Sequence, residues 1–134
     1  MAHLKFYQES AKTFRFEHAF FVTNPHALFI TKKIARHFKI KLGKVTFRKM
    51  KNWGIAHYLT NNITYHNGPS VLVIAEELAH LWQYQTKGKS FHGKQLRGLM
   101  RRILNFAEKK NYWIGLSPSV GDKSSASFGG KFNE

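Results

Sequence analysis

Residues 70–84, Ser-Val-Leu-Val-Ile-Ala-Glu-Glu-Leu-Ala-His-Leu-Trp-Gln-Tyr, join a long apolar run to two adjacent acids and a histidine at helical spacing. The preceding Gly68-Pro69 is a turn, Ser70 is a natural N-cap, and the apolar run is too long for an ordinary strand, so the spacing predicts a helix. At about 100° per residue, Val71, Ile74, Ala75, Leu78, Ala79, Leu81 and Trp82 fill one broad arc. Glu76, Glu77, His80, Gln83 and Tyr84 share the other side, which holds either chemistry or solvent. Glu76 and His80 are four apart and point the same way, as two ligands of one metal ion must, with Glu77 beside them where a general base would stand. The pattern is H-E-x-x-H with its first histidine replaced by glutamate. In the full motif the two histidines bind zinc and the glutamate between them activates water. Two acids and a histidine on the polar side of an amphipathic helix are ordinarily its solvated face, so this stretch alone leaves both readings open.

The chain around this helix has 134 residues, one domain's worth and enough for a single sizeable core. Hydrophobic residues at 43% and aromatics at 15% are those of a folded protein, not a disordered one. No apolar stretch approaches the roughly 18 residues of a membrane span, and the N-terminal residues lack the apolar region of a signal peptide. A soluble, cytoplasmic protein is expected. With no cysteine, any metal must be held by histidine and carboxylate. Lys and Arg number 22 against 7 Asp and Glu, a formal charge of +15. That excess is the footprint of a polyanion binder, with nucleic acid the foremost partner. An anionic membrane surface, or solubility alone, would also account for it.

Along the chain, residues 1–23 are aromatic-rich and compatible with strand or extended packing. Asn24-Pro25 reads as a helix start, with Asn as N-cap and Pro in the first turn. Ala27, Ile30, Ile34 and Phe38 then repeat at helical spacing, so residues 25–39 form an amphipathic helix with Lys32, Lys33, Arg36 and Lys39 off its buried stripe. The period next shifts to that of strands: Val45–Met50, Gly54–Thr60 and Ile63–His66 fit a short antiparallel meander of three strands. His57 and His66 read as ordinary strand histidines. After the central helix, Leu96, Leu99, Met100, Ile103, Leu104 and Ala107 mark a third helix, with Arg97, Arg101 and Arg102 exposed and His92 just before it. Residues 117–134 are rich in Ser and Gly and read as a flexible tail, leaving one domain over 1–116.

The first helix, the strand run Gly54-Ile-Ala-His-Tyr, the run Val71-Leu-Val-Ile-Ala-Glu-Glu-Leu-Ala-His-Leu-Trp and Phe91-His92-Gly93 before a basic helix together resemble the SprT-like zinc metalloprotease domain. The likeness covers about residues 25–113. It implies an α+β, zincin-like fold in which a short antiparallel meander packs with three main helices. It also implies zinc, with His80 as the second ligand, His92 as the third and Glu77 as the catalytic glutamate; Glu76 stands where the family has its first histidine. Glu76, His80 and His92 still make two histidines and a carboxylate, the donor set of known catalytic zinc sites. A carboxylate there would make bound water less acidic than three imidazoles would. The family's frequent Cys-rich zinc ribbon has no counterpart in these residues.

The implied activity is peptide hydrolysis on DNA-associated protein, with Glu77 taking a proton from water and an edge strand holding the substrate extended. Lys32, Lys33, Arg36, Lys94, Arg97, Arg101 and Arg102 are the candidate phosphate contacts, with Trp53 or Trp113 available to stack on unpaired bases. Two other functions remain open: a metal-free, catalytically dead nucleic-acid-binding protein on the same scaffold, and a small basic architectural protein unrelated to it.

Overall fold

The computed structural model of the chain describes residues 21–110. The aromatic segments before residue 21, Trp113 and the tail expected at 117–134 lie outside that range. In chain order the elements are α1 (Asn24–Phe38), β1 (Val45–Arg48), β2 (Gly54–His57), β3 (Asn62–His66), α2 (Val71–Lys87) and α3 (Lys94–Lys109).

The three helices fall where their periodicity puts them, and local chemistry sets their ends. Ser70 caps α2 by accepting a hydrogen bond from the Val73 amide at 3.1 Å, and Gly88 ends it in the left-handed conformation. At α1 the cap is Thr23, one residue earlier than expected; its side chain accepts from the His26 amide. Asn24 has a different task. Its Oδ1 accepts from the Gly68 amide at 2.8 Å and its Nδ2 donates to Asn67 Oδ1, tying the start of α1 to the turn before α2.

The sheet differs from the expected meander. Its order is β1-β3-β2, so β3 is central, parallel to β1 and antiparallel to β2. Val45 pairs with Ile63 in the parallel ladder and Ile55 with Thr64 in the antiparallel one. Burial explains the choice: β3 carries three consecutive buried residues, Ile63, Thr64 and Tyr65, whereas β1 and β2 are half-buried or exposed throughout. The strand most shielded from water takes the central place, where both of its edges are paired.

The core lies around α2. Ile74, Ala75, Leu78, Ala79 and Leu81 are almost wholly buried against Ala27, Ile30 and Ile34 of α1, Leu96, Met100, Ile103 and Leu104 of α3, and Ile63 and Tyr65 of β3. Tyr65 keeps its hydroxyl satisfied inside this core through a 2.9 Å hydrogen bond with Thr31. Trp82, assigned to the apolar arc, is only half-buried; it packs on Phe38 and lies under the Arg102 guanidinium. No helix among the described residues is long and apolar enough to cross a membrane.

Candidate metal centre

With β2 on one side of α2 and α3 on the other, the polar side of the central helix is enclosed. Glu76 is 1% exposed, Glu77 4% and His80 8%, which overturns the reading of these residues as a solvated stripe. Leaving two carboxylates this dry is costly unless something compensates them. His92, from the segment between α2 and α3, supplies part of that compensation: its Nε2 lies 2.9 Å from Glu76 Oε2, while His80 Nε2 lies 3.5 Å from the same oxygen.

One ligand atom each from Glu76, His80 and His92 falls within 4.8 Å of the others. A tetrahedral zinc ion with bonds of about 2.0–2.1 Å needs its donors roughly 3.3 Å apart, close to the 2.9 and 3.5 Å that separate Glu76 Oε2 from the Nε2 atoms of His92 and His80. The donor chemistry fits as well: two imidazoles and a carboxylate, all three lining a cleft of about 630 Å³. The cleft wall includes Trp53, Ile55 and Tyr58 from the sheet side and Phe91 from the loop.

Glu77 does not belong to the trio but borders the same cleft. Burial, reinforced by the neighbouring Glu76 charge, pushes its carboxyl well above the usual carboxylate range. It fits there because β2 offers no side chain at residue 54. A Cβ on Gly54 would come within 2.9 Å of Glu77 Cγ and 3.1 Å of its Oε2. Tyr58, stacked on Tyr84 at 4.5 Å, closes another side of the cleft beside Ser90, and burial raises its phenol pKa.

The trio also has supports that sequence reading did not identify. Ser90 Oγ is 2.7 Å from His80 Nδ1 and donates to Gln83 Oε1 at 2.8 Å. Gln83 is wholly buried; its Oε1 also accepts from the Phe91 amide, and its Nε2 donates to Gln95. The one signal in the sequence was the place of Gln83 a turn beyond His80 on the same polar side. Ser90 stood in a loop with nothing to mark it.

The remaining candidates are scattered. His57 is exposed and bonded to Thr64, and His66 donates to the Asn67 carbonyl, so neither joins the trio. Lys32, Lys33 and Arg36 are exposed on α1, and Lys94, Arg101 and Arg102 on α3, while Arg97 is half-buried. The two helices touch where His37 stacks on Phe106 at 3.8 Å. Arg102 already covers Trp82, at 4.8 Å from its ring. Trp53 is 56% exposed at the cleft rim. No family model matches the chain, and no curated protein or solved structure matches it either.

Proposed function

We propose that this chain is a zinc-dependent metallopeptidase of the SprT-like kind, acting on protein associated with DNA. The observation that carries the reading is the convergence of Glu76, His80 and His92 beside the buried Glu77, at the floor of a cleft rimmed by β2. Zinc bound there supplies Lewis acidity to the scissile carbonyl and the attacking water. Glu77 accepts the proton of that water and passes it to the leaving amine. Its dry surroundings make it a stronger base than a solvated carboxylate, which suits a general base working near neutral pH. The outer edge of β2 offers backbone groups to an extended peptide. Trp53 and Phe91, both substantially exposed, give that peptide apolar surface. The excess of 22 basic over 7 acidic residues supports a substrate held on DNA.

Zinc analysis of untagged protein tests the reading. About one zinc per chain is expected, lost in His80→Ala and in His92→Ala, because shared coordination fails when a ligand is removed. A metal-free wild type whose melting temperature ignores added zinc would refute it.

One contact favours a second reading. The 2.9 Å approach of His92 to Glu76 lets the carboxylate compensate a histidine directly, without an ion between them. On that basis the chain is a catalytically dead, nucleic-acid-binding scaffold. Substitutions at Glu76 separate the two. If Glu76 is a ligand, Glu76→Ala weakens zinc binding severely and Glu76→His keeps it. If the site is degenerate, Glu76→Ala changes nothing and Glu76→His creates binding that the wild type lacks.

A further inference from the structure

We infer that Gln83 and Ser90 are positioning residues which hold His80 in its Nδ1–H tautomer, leaving the Nε2 lone pair directed at Glu76 and His92. The proposal rests on the metal-centre reading for its consequence, but its geometry stands apart from any ion.

The protons can be counted from a group whose polarity is fixed. The Phe91 backbone amide can only donate, and it does so to Gln83 Oε1 at 3.1 Å, so that atom is the carbonyl oxygen of the side chain. The Gln83 amide nitrogen then faces Gln95 Oε1 at 2.6 Å, consistent with the same orientation. A carbonyl oxygen has no proton to give, so the 2.8 Å contact between Ser90 and Gln83 Oε1 uses the serine's only proton. Ser90 therefore meets His80 Nδ1, at 2.7 Å, as an acceptor; its contact with Tyr58 uses the phenol's own proton and the serine's other lone pair, and the imidazole must donate through Nδ1. In a neutral ring with its proton on Nδ1, Nε2 is bare.

The far side of the ring agrees. His80 Nε2 stands 3.5 Å from Glu76 Oε2, beyond the range of a good N–H···O bond, whereas His92 Nε2 approaches the same oxygen to 2.9 Å. His92 makes a hydrogen bond there and His80 does not, as expected if only His92 carries a proton on Nε2. The relay also has a firm base, because Gln83 is wholly buried on α2, within one turn of His80. Outer hydrogen bonds of this kind fix ring orientation and raise ligand basicity, and their loss typically costs about 10–100-fold in metal affinity.

The test uses the full chain with its histidines labelled with nitrogen-15. In metal-free wild type the His80 ring should show its proton on Nδ1. In Ser90→Ala the Nε2–H form should appear, and Ser90→Thr, which keeps the hydroxyl, should restore the wild-type pattern. Zinc affinity should fall about 10–100-fold in Ser90→Ala and recover in Ser90→Thr. Gln83→Leu, which releases the serine's proton, should repeat the Ser90→Ala tautomer change. A wild-type His80 protonated at Nε2, or a Ser90→Ala spectrum identical to wild type, would overturn the relay. If the wild type takes up no zinc, the metallopeptidase reading falls, while the His80 resonances of the metal-free protein still decide the proposal.

Discussion

Glu77 is held where a charge is expensive, and that expense has a sign that can be measured. Its folded-state pKa lies above the ordinary carboxylate value of 4.5, chiefly through burial and then through Glu76, so the folded protein holds this proton to higher pH than the unfolded chain does. The resulting stability is fully present below the unfolded value and is lost as pH rises through the folded one. In chelator, the melting temperature of the wild type should therefore fall, relative to that of Glu77→Gln, as pH rises from the ordinary carboxylate range through the raised folded-state value. The amide does not titrate, so the difference between the two curves isolates this carboxyl; parallel curves would show that Glu77 ionises normally. If the metallopeptidase reading holds, the same variant should retain zinc and lose peptide cleavage, since an amide cannot take the proton from water.

At the scale of elements, β2 and α2 are coupled through the absence of a side chain. Gly54→Ala would force a methyl to within 2.9 Å of Glu77 Cγ, and overpacking of this kind costs about 1–3 kcal/mol. On the metallopeptidase reading it displaces the base and not the ligands, so cleavage should fall by as much as 10²-fold while zinc content stays at the wild-type level. Gly98→Ala is its counterpart. This glycine is exposed within α3, a Cβ there would meet nothing within 4 Å, and the substitution should raise stability by about 0.5–1 kcal/mol through helix propensity, measured by denaturant unfolding.

What could be read in advance divides along the same line between local and distant interactions. The helices and the Ser70 cap were legible because each depends on residues a few positions apart. Thr23 displaced Asn24 as the cap of α1 because Asn24 found partners at Asn67 and Gly68, far along the chain. The strands were recognisable from alternation, but their order was not, since nothing within β1 states that it will lie beside β3. At the site, His80, Glu77 and Glu76 were visible on one helix and His92 through its pairing with Gly93. Gln83 and Ser90 acquire meaning only when the loop after α2 folds back, and Gly54 only when β2 comes to rest against Glu77.

Across the whole molecule the formal charge of +15 sets the terms of any encounter with a polyanion. Binding to DNA should weaken linearly on a log-log plot against salt, with a slope of roughly −4 to −5 if about five phosphates are engaged. Neutralising Lys32, Lys33 and Arg101 in turn should flatten that slope by about one unit each, as followed by fluorescence anisotropy. Salt-independent binding, or none at low salt, would remove nucleic acid as the partner.

The sheet order has a final consequence. Among the described residues no strand pairs with the outer edge of β2, although β3 occupies its inner one. An unpaired edge accepts any extended chain, including another copy's, so the groove that would admit a substrate is also a route to self-association. Two features restrain it. The strand is only four residues long, and Lys51 stands at the cleft just before it, so like charge meets like when two such edges approach. Crowding a solution of this protein would thus set solubility against availability at one and the same edge, with salt favouring the sticky outcome by screening the repulsion.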